Sequence, residues 1–438
     1  MNQWLDKQFG FTEQGSNWRQ ETVAGVTTFL AMAYILFVNA SILSVAGMDS
    51  GAVFVATALS AALACIIMGL WANYPIALAP GMGLNAFFVY TVVLGMDVPW
   101  ETALAGVLVS GILFLILTLS KVREKMINAI PLQLKMAAGA GIGLFIAFIG
   151  LQNAEIVVEY EATLVTLGDL GEPAPLLAIA GVIITAALLV RRLNGAVFYG
   201  IIITSVLGML IGFVAPPEAI VDSIPSLAPT FGVAIVHLPD ILLAPELWLV
   251  VFTFLFVDIF DTAGTLMAVA NQAGFIKDNK LPRASRAMGA DSTATVVGAV
   301  LGTSTTTAYI ESAAGVSAGG RTGFTSLVVA ALFLISLFFS PLLEIFLEHP
   351  ELTAPALIIV GVLMASALGN IDWKAPEFAI PAFVTVVAMP LTFSIATGLA
   401  MGFVLYPITM ICCGRAKEVH PLVYVLSVVC LIYFIWGA

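Results

Sequence analysis

The chain has 438 residues, 61% of them hydrophobic and only 10% charged, with a formal net charge of −11. An ordinary soluble domain carries about 25% charged residues, so this composition excludes a water-soluble enzyme. The acidic balance excludes a nucleic-acid binder, which needs a basic footprint, and the dominance of Phe, Leu, Ile, Val and Ala excludes disorder; a polytopic membrane protein remains.

Residues 1–21 are polar and read as a cytoplasmic N-terminal segment. The apolar run that follows, 22–45, is too long for the hydrophobic region of a signal peptide and is expected to stay as a membrane helix. A helical span needs about 20 apolar residues. Further runs of this kind lie near 52–71, 76–95, 102–120, 130–151, 174–192, 196–215, 247–270, 287–302, 303–320, 322–346, 354–369, 377–392 and 394–412. With the first, they predict an all-α polytopic fold of about 14 transmembrane segments. A last apolar stretch, 420–437, reads as a fifteenth span, as an interfacial helix, or as a sign that 377–412 is divided differently. No run alternates with period two, which argues against a strand barrel.

The cations orient this arrangement. With the N-terminus in the cytoplasm, all 16 Lys and Arg residues fall on the cytoplasmic side, as the positive-inside rule requires. They run from Lys7 and Arg19 through Lys121, Arg123, Lys125 and Lys135 to Arg191 and Arg192. Lys277, Lys280, Arg283, Arg286, Arg321, Lys374, Arg415 and Lys417 complete the set. External loops carry acids instead, among them Glu155, Glu159, Glu161, Asp169 and Glu172. Cys65, Cys412, Cys413 and Cys430 lie in or beside apolar runs without zinc-ligand spacing, so buried, reduced thiols are expected.

The long external connection at 216–246 divides the chain into similar halves. Thr28-Phe29-Leu30 in the first span recurs as Thr253-Phe254-Leu255 in the eighth, an offset of 225. Pro80-Gly81-Met82-Gly83-Leu84-Asn85 stands at nearly the same offset from Thr306-Thr307-Ala308-Tyr309-Ile310-Glu311. Seven spans per half is an odd number, so the halves would be inverted, the signature of secondary transporters.

Spans three and ten do not read as continuous helices. Tyr74 to Gly81 holds Pro75, Pro80 and Gly81, which favours extended backbone before a helix begins. Gly302 to Thr307 is polar and β-branched. Broken backbone at membrane depth is tolerated where it is buried in protein or lines a cavity. Pro80, Gly81, Thr306 and Thr307 are therefore candidate structural elements of a site, with free N–H groups at the half-helix starts.

Three acids, Asp258, Asp261 and Glu311, stand inside spans, while the other 24 can be placed at surfaces, loops or span ends. An Asp at the centre of a span costs about 2.5–3.5 kcal/mol, so it needs a reason. The i, i+3 spacing puts Asp258 and Asp261 on one helix face. Two carboxylates there cannot both ionise cheaply, so one is expected to take up a proton. Glu311 falls in the first turn of its half-helix, where the dipole favours an anion. Each also admits a structural role, hydrogen-bonded to Thr or backbone, and Asp261 most of all by packing on a neighbouring helix. Asn85 occupies the matching place in span three, and its amide offers both donors and an acceptor to a planar heterocycle. Phe87, Phe88, Phe256, Phe260 and Tyr309 are close in sequence, and packing is the preferred role for such rings.

On the strings Ala79–Phe88, Phe256–Leu266 and Thr305–Ser312, the chain resembles the nucleobase–cation symporter-2 superfamily, and within it the AzgA-like branch of adenine, guanine and hypoxanthine permeases. The resemblance runs over nearly the whole length. It implies a UraA-like fold of two inverted seven-span repeats, with core and gate domains. Core would comprise 22–120 (spans 1–4) and 247–346 (spans 8–11), gate 121–215 (spans 5–7) and 347–438 (spans 12–14 and the C-terminal apolar segment). It implies substrate binding by Asn85, Asp258 and Glu311, and transport-critical roles for Gly83 and Asp261. The expected function is purine import by proton symport across the cytoplasmic membrane, with Asp258 or Asp261 carrying the proton. No cofactor, no nucleic acid and a homodimer in the bilayer are expected. A uracil/xanthine or small-anion carrier on the same fold is the alternative. An intramembrane aspartic protease is disfavoured because both aspartates lie in one helix, and a passive channel because the broken spans are paired.

Overall fold

The computed structural model describes residues 2–120, 131–193, 195–244, 247–276 and 281–436. Lys121, Arg123, Lys125, Lys277, Lys280 and the side chain of Phe260 lie outside the described residues, and with them their share of the expected charge pattern and ring packing.

The chain folds as a polytopic helical membrane protein. Eight described helices are long and apolar enough to cross a membrane, or nine if the bent pair Gly323–Phe339 and Leu342–Glu348 is one span. Shorter apolar helices occupy Met82–Val93, Ala196–Leu210, Pro376–Thr392 and Pro421–Ile432. Several elements differ from a set of straight helices. The first span breaks at Ala33–Tyr34 between the helices Trp18–Met32 and Ile35–Ser44. The run at 322–346 bends by 77°, at a break beside Pro341, whose ring cannot continue the backbone hydrogen-bond ladder. Between the helices Leu132–Asn153 and Pro173–Val190, strands β2 (Val157–Tyr160) and β3 (Leu164–Leu167) form a hairpin that the composition of that loop did not announce. The helices Pro376–Thr392 and Ile395–Cys412 form a hairpin that turns at left-handed Phe393 (φ 52°). Ser394 starts the second by accepting from the Thr397 N–H at 3.2 Å. The 420–437 stretch forms a helix, Pro421–Trp436, packed along Ile395–Cys412.

Packing sorts the long helices into two groups. In the first, Gly323–Ser336 lies against Trp18–Met32 and Ser50–Ile67, and Ala284–Leu301 against Ser50–Ile67 and Trp100–Leu119. In the second, Leu132–Asn153 lies against Ala354–Ala365 and Pro376–Thr392, and Pro173–Val190 against Ala196–Leu210. Lipid tails are as apolar as Leu, so small residues that allow backbones to approach hold such helices together. Gly143 and Gly361 do this in the second group. A methyl on Gly143 would lie 2.5 Å from Met364 Cβ, and one on Gly361 2.6 Å from Ala147 Cβ.

Burial corrects two readings of the sequence. Of the acids assigned to span ends and loops, Glu21, Asp291 and Glu351 are buried, with exposures of 0%, 0% and 4%. Glu21 accepts the Arg321 and Thr322 N–H groups at 3.0 and 3.2 Å and the Thr325 hydroxyl at 2.6 Å, closing the start of the helix Gly323–Ser336. Glu351 meets His349 at 2.8 Å. A carboxylate at a helix end is accepted inside the bundle when backbone donors converge on it. All four cysteines are free, but only Cys65 is buried; Cys412 and Cys413, at the end of the helix Ile395–Cys412, are exposed.

Candidate functional site

The two runs that departed from helical pattern meet at the centre of the bundle. Strand β1 (Leu78–Pro80) pairs antiparallel with β4 (Thr306–Ala308), in the register Leu78 to Ala308, Ala79 to Thr307 and Pro80 to Thr306. Gly81 N–H donates to Thr305 O at 2.8 Å and Tyr309 N–H to Ala77 O at 3.0 Å, which extends the backbone pairing beyond both ends of the strands. Pro80 brings no N–H, and its carbonyl accepts the Tyr309 hydroxyl at 2.5 Å. Close approach also needs glycine at Gly81, where a Cβ would meet Thr307 Cγ2 at 2.6 Å. Short helices leave the crossing at Met82–Ala86 and Ser312–Ser317.

A cavity of about 280 Å³ opens beside this crossing, between the two helix groups. One wall carries Gly81, Gly83, Asp261, Thr265, Thr307, Tyr309 and Glu311; the other carries Lys135, Ile142, Met364, Ser366 and Asn370. Asn370 and Ala268 are exposed, so the mouth lies at the end of the bundle that holds Lys374 and Arg415. Thr306 is buried behind the wall, and its carbonyl accepts the Thr295 hydroxyl at 2.9 Å.

Glu311 precedes the helix Ser312–Ser317, and one of its oxygens accepts the Tyr34 hydroxyl at 2.7 Å. Tyr34 is 1% exposed; the break in the first span turns it toward the crossing. Asp261 lines the same cavity and is held by the Thr307 hydroxyl at 3.4 Å. Asp258 does not line it. That side chain is 1% exposed, and its oxygens meet the hydroxyls of Thr262 at 3.4 Å and Thr295 at 3.3 Å. Sequence reading assigns the larger packing role to Asp261, whereas Asp258 is the residue turned toward the neighbouring helix Ala284–Leu301. A 3-residue step rotates about 60° short of a full turn, enough to send the two carboxylates to different surroundings.

Asn85 likewise stands behind the wall. It is fully buried, donates to Asn39 Oδ1, and accepts the Ser304 hydroxyl through its own Oδ1. Asn39 in turn donates to Thr57 at 2.6 Å and Thr303 at 2.9 Å. The amide thus ties the third span to the first, the second and the strand crossing. Phe87 and Phe88 pair with Phe254 at 5.0 and 6.4 Å, and Phe256 with Phe403 at 5.0 Å, whereas Tyr309 alone of the described candidate rings lines the cavity.

Sequence reading missed Asp291. It is 0% exposed, and the Thr262 hydroxyl lies 2.9 Å from its Oδ2 and 2.9 Å from Thr307 Oγ1. Asp261, Thr307, Thr262 and Asp291 form one chain of contacts leading inward from the cavity. Each Thr hydroxyl has a single proton. A proton on either end of the chain, Asp291 or Asp261, lets every link donate in one direction; with both aspartates ionised, the Thr262–Thr307 contact has no proton to share. Its neighbours Ser292, Thr293 and Thr295 hide Asp291 in a polar helix of low hydropathy, where an acid is unremarkable by sequence. Tyr34 left no signal either, since an aromatic in a membrane helix reads as packing. Among the described residues, no cluster of three or more His, Cys, Asp or Glu could hold a metal ion.

The family described as Permease family matches residues 19–401. The guanine/hypoxanthine permease PbuG of Bacillus subtilis (strain 168) is 56% identical over 437 residues, covering 98% of this chain and 99% of that protein. The adenine permease AdeP of Escherichia coli (strain K12) is 43% identical over 435 residues, covering 99% and 96%. Among solved structures, the transmembrane domain of the cyanobacterium bicarbonate transporter BicA superposes with a TM-score of 0.61 at 14% identity, covering 88% of this chain and 97% of that one. SLC26A9 superposes with a TM-score of 0.63 at 11% identity, covering 90% and 65%. At these identities the two structures share the fold with this chain.

Proposed function

Because the chain belongs to the permease family matched across residues 19–401, we propose that it imports purine nucleobases, namely adenine, guanine and hypoxanthine, by proton symport across the cytoplasmic membrane. Relatives named as guanine/hypoxanthine and adenine permeases, alignable over almost the whole chain, support the substrate class. The single observation that carries the reading is that Glu311 and Asp261 face one cavity beside a strand crossing. Two carboxylates at membrane depth are expensive unless they serve a pathway.

In this reading the ring N–H groups of a purine donate to Glu311 and Asp261. Tyr34 fixes the Glu311 carboxylate, so that it meets the ligand already oriented. Asp258 and Asp291 sit behind Asp261 through Thr262 and Thr307, and the aspartates of this network carry the coupled proton. Protonation removes one of two facing negative charges, which lets the loaded wall slide past its partner. The moving core comprises 22–120 and 247–346, and the gate 121–215 and 347–438. With the N-terminus in the cytoplasm, the cavity mouth faces inward, and release of purine and proton follows from that side. Asn85, Gly83 and Pro80 keep the crossing in shape. The working unit is a homodimer in the bilayer.

Uptake of radiolabelled hypoxanthine, guanine and adenine into energised vesicles tests this. Uptake should collapse when an uncoupler removes the proton gradient. Accumulation that is indifferent to the uncoupler would refute symport, and failure to take up any of the three would refute the substrate class.

A further inference from the structure

Beyond the closed end of the cavity the two helix groups touch again. The helix Leu132–Asn153 carries Lys135 and Ile142 along the cavity, and Phe145 and Phe148 follow further from the mouth. At that level the hairpin turn places Phe393 against three rings, Tyr90 at 5.4 Å, Phe145 at 5.3 Å and Phe148 at 5.6 Å. Phe145 and Phe148 belong to the same helix group as the hairpin, so they anchor the turn on its own side. Tyr90 and Thr91 lie across the boundary, in the π-helical stretch Phe87–Val93 that packs on Trp100–Leu119. Such wide turns occur frequently at functional sites. Between this contact and the cavity Ile395 is fully buried, and an added Cβ on Gly83 would lie 3.6 Å from its Cδ1.

The contact is polar as well as aromatic. The Thr91 hydroxyl donates to the Phe393 carbonyl at 3.1 Å. That carbonyl stands between two helices, the first ending at Thr392 and the second capped by Ser394. A backbone carbonyl at membrane depth needs a donor, and here one comes from the opposite helix group. When the groups slide, as the function proposed above requires, Thr91 leaves and water from the external side takes its place. We propose that the Phe393 turn is the external seal of the transport path. It holds the inward-open form through Tyr90 and Thr91, and it must part from them before the cavity opens outward. This inference rests on the transport reading above.

Thiol labelling tests it. With the four native cysteines replaced, Thr265→Cys puts one reporter on the cavity wall, and a membrane-impermeant methanethiosulfonate is applied to right-side-out and to inverted vesicles. An equilibrium between two forms moves only by an interaction that differs between them. Removing contacts made only in the inward-open form should therefore raise labelling from outside and lower it from inside. Phe393→Ala should raise the outside-to-inside ratio of rates by about ten-fold or more, and Thr91→Val by less. An unchanged ratio in Phe393→Ala, or rates that rise or fall together on both sides, would overturn the proposal, since loosened packing alone favours neither side. If Phe393→Ala does not reach the membrane, Tyr90→Leu is read in the same way and decides. Labelling from inside that excess hypoxanthine does not slow would instead remove the cavity as the purine path, and this inference with it.

Discussion

At the scale of single residues, the cavity is organised by hydroxyls that hold carboxylates. Tyr34 serves Glu311, and Thr307 and Thr262 link Asp261 to Asp291. A hydrogen bond to a charged group contributes about 1.5–3 kcal/mol, so losing the Glu311 charge should weaken hypoxanthine binding by a factor on the order of 10 to 100. Glu311→Gln is expected to show this in a titration of purified protein, and Tyr34→Phe a smaller loss in the same direction. Unchanged affinity in Glu311→Gln would take that residue out of the site. Asp291→Asn keeps the size of the side chain but removes its ability to pass a proton. Uptake in that variant should fall while hypoxanthine affinity holds within a few-fold; a matching loss of both would mean that Asp291 only supports the fold. Asp258, Asp261 and Glu311 were legible in the sequence because a charge in an apolar run is conspicuous. Asp291 was not, because it is surrounded by Ser, Thr and Gly in a helix whose polarity resembles a span end.

At the scale of elements, the molecule depends on close backbone contact. Gly143 and Gly361 bring Leu132–Asn153 and Ala354–Ala365 together, with no room for a side chain on either. Forcing extra volume into such a contact costs about 1–3 kcal/mol. Gly361→Leu should therefore lower the thermal midpoint of the detergent-solubilised protein, whereas Gly139→Leu, at a position with nothing within 4 Å of an added Cβ, should leave it nearly unchanged. Equal midpoints for the two variants would contradict this account of the packing. The paired strands show the same dependence at the centre. The two prolines and the glycine that disfavour a helix at 75–81 were plain in the sequence, but the partner they would find was not. A three-residue strand carries no pattern that identifies what it pairs with, and the β1–β4 register comes from residues more than 220 positions apart.

At the scale of the whole molecule, transport in the proposed manner requires the two helix groups to move past one another at the cavity. Gly83 sits at that boundary, where an added Cβ would lie 3.8 Å from Ile142 Cβ, a separation that suits a disulfide. The pair Gly83→Cys and Ile142→Cys, with the four native cysteines replaced, should cross-link on oxidation, and whatever uptake the reduced variant keeps should stop on oxidation and return with a reductant. Continued uptake by the cross-linked protein would show that the boundary does not slide. Composition, hydropathy and motifs were enough to read that the chain lives in a membrane, roughly where its apolar helices run, which stretches refuse helical backbone, and which family its motifs resemble. These are properties of local composition, and hydropathy, proline and charge act on the segment that contains them. The tertiary structure alone decided that Asp261 rather than Asp258 faces the cavity, and that Asn85 and Asp291 lie behind its wall. Those facts depend on helix rotation and on which helix packs against which, and both are set by contacts between residues far apart in the chain.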